Sequence, residues 1–192
     1  THRCAELSTA NVGENVTVMG WVQKQRNKGG IIFVDLRDRT GILQIIFEEA
    51  DCGSEYFAKA MKLRSEFVVA VEGRVEARSG AVNENLATGA IEVRAKSLRI
   101  LSESETPPFP IEENSKTKEE LRLKYRFLDL RRPDLQRNMM VRSQVATLTR
   151  SFLADEGFFE IETPTLIKST PEGARDYLVP SRVHPGSFYA LP

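Results

Sequence analysis

The sequence is poor in the residues that most often build metal sites and covalent catalysts. It has 2 cysteines, Cys4 and Cys52, which are far apart and form no CxxC pair. This predicts neither a disulfide framework nor a zinc site. The only histidines are His2 and His184, and no Ser-His-Asp, Cys-His or P-loop pattern occurs. The sequence therefore predicts no metal centre and no independent active site.

Long hydrophobic runs are also missing. No uninterrupted apolar stretch is long enough to cross a bilayer, and the first residues lack the apolar core of a signal peptide. Both features predict a cytoplasmic protein without membrane contact. The composition, 41% hydrophobic and 28% charged, excludes a disordered or collagen-like chain. At 192 residues the chain has room for one large domain or two small ones, and we expect two.

Charge of one sign is not in excess. The chain has 27 basic and 27 acidic side chains, so its net charge predicts no particular partner. The distribution is uneven, because residues 116–150 carry ten basic and four acidic side chains. That local excess is typical of either a solvated helix face or a surface for an anionic partner.

Hydrophobic alternation predicts five strands in the first hundred residues. The first surrounds Gly20, the next two cover 31–37 and 42–47, and the last two cover 67–77 and 91–100. Apolar residues at helical spacing predict a helix over 54–65, between the third and fourth strands. This order is the plan of an OB-fold barrel, with an SH3-like or split barrel as the open alternative. Gly20 and Gly73 suit the bends that barrel closure requires.

The remaining residues predict a linker and a mixed second part. Residues 101–120 are rich in Ser, Pro and Glu without periodicity, which favours an extended linker. Pro133 opens a long amphipathic helix that ends near Gly157 and carries an apolar stripe. We expect a strand over 158–162, then strand-like pieces and turns with no closing helix.

Basic, amide and aromatic side chains are mixed along residues 21–37. If Ile32 and Val34 point into the barrel, Phe33 points outward, because strand side chains alternate. A lone Phe in a strand more often belongs to the core, but this register places Phe33 beside Arg26 on the surface. Bases stack on aromatic rings while Arg and Lys follow phosphates. The pattern therefore favours an interface for single-stranded nucleic acid.

These residues carry a family resemblance. The run Gly20-Trp21-Val22, Arg26, Gly30, Phe33, Leu36-Arg37-Asp38, Gly41 and Gln44 resembles the anticodon-binding OB domain of class IIb aminoacyl-tRNA synthetases. That family includes the aspartate, asparagine and lysine enzymes. Segments 122–132 and 163–182 are similar to those of bacterial-type aspartyl-tRNA synthetases.

The resemblance covers essentially the whole chain and implies a β domain followed by the start of an α/β domain. It implies a five-stranded OB-fold barrel over 1–104 and a linker or hinge over 105–132. Residues 133–192 would form the first part of a class II antiparallel α+β catalytic domain.

The resemblance also implies roles for individual barrel residues. Phe33 would stack on an anticodon base, while Arg26, Gln44 and Glu92 would recognise base edges. Their chemistry is suitable, because Arg binds guanine bidentately, Gln both donates and accepts, and Glu accepts from an amine. Taken alone, Glu92 is typical of an exposed strand glutamate.

The loop that begins at Arg78 and contains Asn83 is expected beside the anticodon, although Asn is also common as a turn former. Lys28 and Gly80 correspond to family positions that bear on whether tRNA(Asn) is accepted as well as tRNA(Asp). Lys28 matches neither usual family pattern, so the residues leave that question open.

The second part of the chain resembles two class II elements. Gly157, Phe158 and Pro164 fall in a segment that resembles motif 1, which builds the homodimer interface, although a plain helix-strand unit would read the same way. Thr170 to Gly173 resembles the mobile loop of the amino-acid site. There Glu172 would bind the α-ammonium group of aspartate.

The whole enzyme implied by the resemblance uses ATP and Mg²⁺ to activate aspartate and transfers it to tRNA. Motifs 2 and 3, which hold ATP in that family, do not appear by Pro192. We therefore assign no catalytic residue within the chain and expect it alone to bind neither ATP nor Mg²⁺ and to be inactive. Two alternatives stay open: a stand-alone tRNA- or single-strand-binding OB module without catalysis, and a class IIb enzyme specific for asparagine.

Overall fold

The computed structural model describes residues 1–169 and 176–191, which form two compact units, Thr1–Asp134 and Leu135–Pro192. The first unit begins with two short 3-10 helices, Cys4–Glu6 and Thr9–Asn11. Its longer elements are β1 (Asn15–Lys28), β2 (Ile31–Arg37), β3 (Ile42–Phe47), α1 (Glu49–Met61), β4 (Val68–Ala77), β5 (Ile91–Ser102), α2 (Glu119–Lys124) and α3 (Arg126–Asp129). The second unit contains most of α4 (Pro133–Asp155), then β6 (Tyr177–Pro180) and β7 (Phe188–Leu191). Within the described ranges, no helix is both long and apolar enough to span a bilayer.

The first five strands close into a barrel in the order β1-β2-β3-β5-β4. Only the β3–β5 pairing among these neighbours is parallel, and the other strand pairs are antiparallel. The closed five-stranded barrel with α1 between β3 and β4 confirms the predicted OB-fold. Strands β2 and β3 begin and end at the predicted residues.

The interior of the barrel is filled by the inward half of each alternating strand. On β2, Ile32, Val34 and Leu36 are all buried, and β1 contributes Val18 and Val22 in the same way. These residues belong to one continuous apolar core. Burying apolar surface contributes about 25 cal/mol per Å², so this core is the main source of the barrel's stability.

Helix α1 begins five residues earlier than predicted. Its backbone is interrupted at Gly53, whose φ of 79° lies in the left-handed region. The predicted helix over 54–65 therefore corresponds to the second part of α1, because only the residues after Gly53 continue with helical periodicity. The first turn, at Glu49 to Cys52, has too few apolar residues to carry that signal.

Gly73 lies where β4 and β5 shift register, between the pairs Glu72–Ser97 and Gly73–Ala95. A β-carbon at this position would lie 2.4 Å from the carbonyl oxygen of Arg94. The predicted bend at Gly73 is therefore confirmed as a β-bulge with a close backbone approach.

We expect Gly73→Ala to lower the free energy of unfolding by roughly 1–3 kcal/mol, because the added methyl group must displace the β5 backbone. The matched control is Gly80→Ala, since nothing lies within 4 Å of a β-carbon there. Urea unfolding measures both variants. Equal stability of the two would show that the bulge relaxes freely.

The linker is only partly extended, which corrects the prediction for 101–120. Leu101 and Ser102 belong to the end of β5, and the side chains of Phe109 and Ile111 are buried. The segment belongs to the first unit, and Phe109 and Ile111 are buried within that unit instead of pointing into solvent. The sequence pattern missed this because two isolated apolar residues have no periodicity.

Asp129 is the centre of a charge cluster that joins α2, α3 and the start of α4. Its fully buried carboxylate accepts hydrogen bonds from Arg122 at 2.9 Å, Arg126 at 2.6 Å and Arg132 at 3.1 Å. Arg132 also bonds Asp134 at 2.6 Å. The hydrogen bonds from Arg122 and then Arg132 lower the pKa of the Asp129 carboxyl below its usual value of 3.8.

Because this pKa is lowered in the folded state, the stabilisation by Asp129 is complete well above pH 3.8 and is lost as the pH falls through the folded pKa. We expect Asp129→Asn, which cannot titrate, to cost about 3 kcal/mol at pH 7. The stability difference from wild type should shrink in urea unfolding below about pH 4. A difference that stays constant down to pH 3 would contradict this linkage.

The C-terminal end of α4 is closed by a Schellman motif. The Phe158 N–H donates to the Leu153 carbonyl at 2.9 Å, and the Gly157 N–H donates to the Ala154 carbonyl at 3.0 Å. Gly157 has a φ of 85°, which a glycine adopts without strain. The predicted start of the helix at Pro133 and its end near Gly157 are both confirmed.

The strand predicted over 158–162 is wrong. A strand needs a hydrogen-bonding partner, and among the described residues of the second unit only β6 and β7 pair, with one bridge between Ile167 and Ala190. No helix follows α4 in the described part of this unit, as expected.

Candidate nucleic-acid interface

A recess of about 240 Å³ on the barrel brings together seven of the eight residues predicted for the tRNA anticodon and its specificity. They come from four strands, β1, β2, β3 and β5, and from the loop after β4. The lining comprises Arg26, Lys28, Phe33, Gln44, Arg78, Ser79, Gly80, Ala81 and Glu92. Residues up to 66 positions apart in sequence therefore form one surface.

Phe33 takes the predicted outward orientation. It lies between Ile32 and Val34, which are 0% and 1% exposed, and it is itself half-buried. In the barrel it pairs with Arg26 on β1 and Ile46 on β3. The ring therefore forms part of the recess wall and not of the core. In that position a base can stack on it.

A hydrogen-bonded network of Gln44, Arg78 and Glu92 forms another wall. The amide nitrogen of Gln44 donates to Glu92 Oε2 at 3.0 Å, and its carbonyl oxygen accepts from Arg78 Nη2 at 2.9 Å. The backbone N–H of Ser79 donates to Glu92 Oε1 at 3.1 Å. These bonds fix the orientation of the Gln44 amide and of both carboxylate oxygens.

Glu92 is not the exposed strand glutamate that its local sequence suggests. Only 1% of it is exposed, because it lies between Gln44 and the loop after β4. Each of its oxygens accepts one bond within the protein and retains a lone pair. Glu92 can therefore accept a further hydrogen bond from an amine in the recess.

Arg26 is held by Asp35, a residue that the sequence analysis did not single out. The Arg26 guanidinium bonds the Asp35 carboxylate at 2.5 Å, across the β1–β2 pair. Asp35 is two residues beyond Phe33 and so shares its outward face, a signal that could have identified it. No sequence pattern could have identified Ser79, because this residue contributes its backbone N–H and not its side chain.

Asn83 is the predicted anticodon residue that does not line this recess. It lines a neighbouring cavity instead, together with Arg26, Gln44 and Arg78. Its side-chain oxygen accepts the backbone N–H of Asn85 at 3.1 Å, which is a turn-forming bond. The structure thus gives Asn83 a structural role in the loop.

The residues predicted for a dimer interface lie in the second unit. Gly157 caps α4, Phe158 is 65% exposed, and Pro164 is exposed. Phe158 lines an apolar groove of about 520 Å³ with Leu153 and Phe159. Glu172, predicted to bind aspartate, lies outside the described residues. Within residues 1–169 and 176–191, no group of three or more His, Cys, Asp or Glu side chains can hold a metal ion.

Two family models match this chain. An OB-fold nucleic acid binding domain matches residues 16–101, and the class II tRNA synthetases for D, K and N match residues 118–192. Over its whole length the chain is 83% identical to the aspartate–tRNA(Asp/Asn) ligase of Lachnoclostridium phytofermentans. It is 70% identical to the aspartate–tRNA ligase of Agathobacter rectalis. The chain belongs to the aspartyl-tRNA synthetase family.

The chain spans 32% of the length of each of these two relatives, and its order of domains corresponds to the N-terminal part of the family. A solved asparaginyl-tRNA synthetase from Pyrococcus horikoshii is similar in structure, with a TM-score of 0.82 and 31% sequence identity. That similarity covers 99% of this chain and 42% of the other. The predicted membership of the family is therefore confirmed.

The recess predicts that Phe33→Ala weakens RNA binding without unfolding the barrel. We expect the binding free energy for an anticodon stem-loop to fall by about 1–3 kcal/mol, the contribution of one stacked base. The loss of stability should stay at about 1 kcal/mol or less, because the ring is only half-buried.

The control is Phe47→Ala, since Phe47 is 0% exposed and belongs to the core. This variant should lose about 3–5 kcal/mol of stability in urea unfolding. If Phe33→Ala destabilises the protein as much as the control does, Phe33 is a core residue and the stacking role is wrong.

Proposed function

We propose that this chain is the N-terminal part of an enzyme that attaches aspartate to tRNA(Asp), and that its barrel binds the anticodon of that tRNA. The observation that carries this proposal is the Gln44–Arg78–Glu92 network beside the half-buried ring of Phe33. The match to the two aspartate–tRNA ligases over the whole chain supports aspartate as the amino acid.

The recess offers the chemistry that reading a single-stranded base requires. Phe33 supplies a stacking surface, Gln44 supplies a donor and an acceptor, and the carboxylate of Glu92 supplies acceptors. Arg26 and Lys28 supply positive charge for the phosphates. Since every polar group of the network is already oriented by a protein partner, a base enters a site that needs little rearrangement.

In the whole enzyme, the aspartate carboxylate attacks the α-phosphorus of ATP, which gives aspartyl-adenylate and pyrophosphate, and the aspartyl group then passes to tRNA. ATP and Mg²⁺ come to this proposal from the family alone, because the described residues contain no metal-binding group. Within this chain we propose only Glu172, as the partner of the substrate's α-ammonium group.

We propose the domain limits 1–104, 105–132 and 133–192 for the barrel, the hinge and the start of the catalytic domain. A homodimer in the cytoplasm, formed through the segment around Gly157, Phe158 and Pro164, completes the proposal. The exposed apolar side chains of α4 support an interface there. Val145, Leu148 and their neighbours form an apolar stripe that is exposed to solvent in the single chain.

Acceptance of tRNA(Asn) is a separate question, because one relative is named an aspartate–tRNA(Asp/Asn) ligase and the other simply an aspartate–tRNA ligase. Lys28 and Gly80, proposed as specificity positions, both line the recess. Asparagine and aspartate anticodons differ in the third base, so a recess that tolerates both bases accepts both tRNAs.

Fluorescence anisotropy at fixed salt tests anticodon reading with stem-loops that differ only in the anticodon. We expect the chain to bind the GUC loop at least tenfold more tightly than a loop with an unrelated anticodon, as one or two read bases provide. Equal affinity for GUC and GUU would assign both tRNAs. Equal affinity for all loops would reject anticodon reading and leave a general single-strand-binding barrel.

A second assay addresses catalysis. Aspartate-dependent pyrophosphate exchange is expected from the complete enzyme and not from this chain, because motifs 2 and 3 supply the ATP site in the family. Pyrophosphate exchange by the 192-residue chain above a control without aspartate would contradict the assignment of the ATP site to motifs 2 and 3.

A further inference from the structure

Glu66 has two features that the proposed anticodon residues do not explain. Its backbone φ of 67° lies in the left-handed region, which a residue other than glycine adopts at a cost in free energy. Its side chain is only 5% exposed, and burying a charge also costs free energy unless the charge is paired. Such a residue persists only where its surroundings offset both costs, so the contacts of Glu66 indicate its role.

Backbone hydrogen bonds from β1 hold Glu66 in this conformation. The Glu66 N–H donates to the Val22 carbonyl at 2.7 Å, and the Val22 N–H donates to the Phe67 carbonyl at 2.9 Å. Val22 directly precedes the bulge of β1, where Gln23 is the extra residue that pairs with none on β2. The position of the Glu66 backbone is therefore fixed by the barrel itself.

Two arginines from different parts of the first unit share the Glu66 carboxylate. Arg37, at the end of β2, donates from Nη2 to both oxygens at 2.9 and 2.8 Å. Arg131, which follows α3, forms an ion pair with Oε2 at 3.6 Å. One buried carboxylate therefore links the barrel to the segment proposed as the hinge.

Trp21 gives Arg131 a second contact with the barrel. The Arg131 guanidinium lies 5.4 Å from the centroid of the Trp21 ring, a distance at which the cation–π attraction acts. Trp21, Glu66 and Arg131 all line a cavity of about 380 Å³, together with residues 102–108. Because this cavity leaves the junction incompletely packed, the contacts of Arg131 are important for holding the hinge against the barrel.

The Asp129 cluster extends this connection to the start of α4. Arg132, the residue after Arg131, donates to Asp129 at 3.1 Å and to Asp134 at 2.6 Å. The barrel, the hinge and the first turn of α4 are therefore connected through side-chain bonds as well as through the chain.

We propose that Glu66, Arg131 and Trp21 form a clamp that fixes the hinge to the barrel, and that these three act as positioning residues in the aminoacylation of tRNA. The proposal rests on the proposed function, in which the barrel binds the anticodon while the other end of the same tRNA receives aspartate. Binding at two places is tighter when the connection between them is stiff, because stiffness raises the effective concentration of the second end.

The test uses the complete enzyme with Arg131→Gln, which removes the charge from a side chain that is 42% exposed. We expect kcat/KM for aminoacylation of whole tRNA(Asp) to fall about tenfold, because the hinge no longer holds the two binding places at a fixed separation. Pyrophosphate exchange without tRNA and affinity for an anticodon stem-loop should each change by less than about twofold, since neither uses both places at once.

Lys124→Gln is the matched control, since it removes the same charge from the same segment. Lys124 is exposed, and its ammonium group lies 5.6 Å from the centroid of the Tyr125 ring, within the hinge itself. The clamp stays intact in this variant, so we expect it to aminoacylate tRNA as the wild-type enzyme does.

A double-mutant cycle separates the clamp from a direct contact of Arg131 with RNA. Glu66→Gln should add little to the effect of Arg131→Gln, because either change breaks the same ion pair. If urea unfolding shows that Glu66→Gln does not fold, Trp21→Leu replaces it in the cycle, since it removes the other contact of Arg131.

Four results would overturn the clamp. Unchanged kcat/KM in Arg131→Gln would show that the hinge is held without this residue. Additive effects in the cycle would show that Arg131 acts on the RNA by itself. An equal loss with Lys124→Gln would show that only the charge of the hinge matters. An equal loss of stem-loop affinity would place the effect at the anticodon. Wild-type binding without base preference would instead reject the proposed function itself.

Discussion

The site depends on the two-residue period of β2. Burying Ile32, Val34 and Leu36 fills the barrel, and the same alternation forces Phe33 and Asp35 to the outside. A shift of one residue would bury a carboxylate and expose three aliphatic side chains, so the core fixes the register strongly. The ring of Phe33 and the residue that holds Arg26 are therefore positioned by the hydrophobic effect acting on their neighbours.

The parallel pairing of β3 with β5 provides the other half of the site. Ile45 pairs with Val93, so the preceding residues on the two strands, Gln44 and Glu92, also lie next to each other. Their side chains are 48 positions apart in sequence and meet at 3.0 Å only because the barrel closes at this pair. Closure thus both removes the exposed strand edges and assembles the polar network.

The elements that could be predicted from sequence are those set by local hydrophobic periodicity. Strands β2 and β3, the start of α4 and the outward orientation of Phe33 all follow from which residues must be buried. The burial of Glu92 and the position of Gln23 could not be predicted this way. The first depends on a distant strand, and the second depends on a bulge that breaks the alternation on which the reasoning relies.

The prediction of a strand over 158–162 failed for the same reason, because a strand depends on a distant partner. Strand propensity near Phe158 says nothing about whether such a partner is available. The Gly157 cap was predictable for the opposite reason. A glycine after a helix needs only its own backbone and the last turn, and both Schellman hydrogen bonds are local. Local bonds follow from the sequence, whereas pairing between distant residues follows from the topology.

The buried network also determines how the site can discriminate. Gln44 is bonded to both Arg78 and Glu92 in the free protein, so the geometry of these three side chains is set before RNA arrives. A base with matching donors and acceptors adds hydrogen bonds at little cost in entropy. A base with the wrong pattern leaves buried polar groups unpaired, and each such group costs about 1–3 kcal/mol. In the proposed complex, specificity arises from this penalty against wrong bases, while stacking on Phe33 and charge supply affinity for any base.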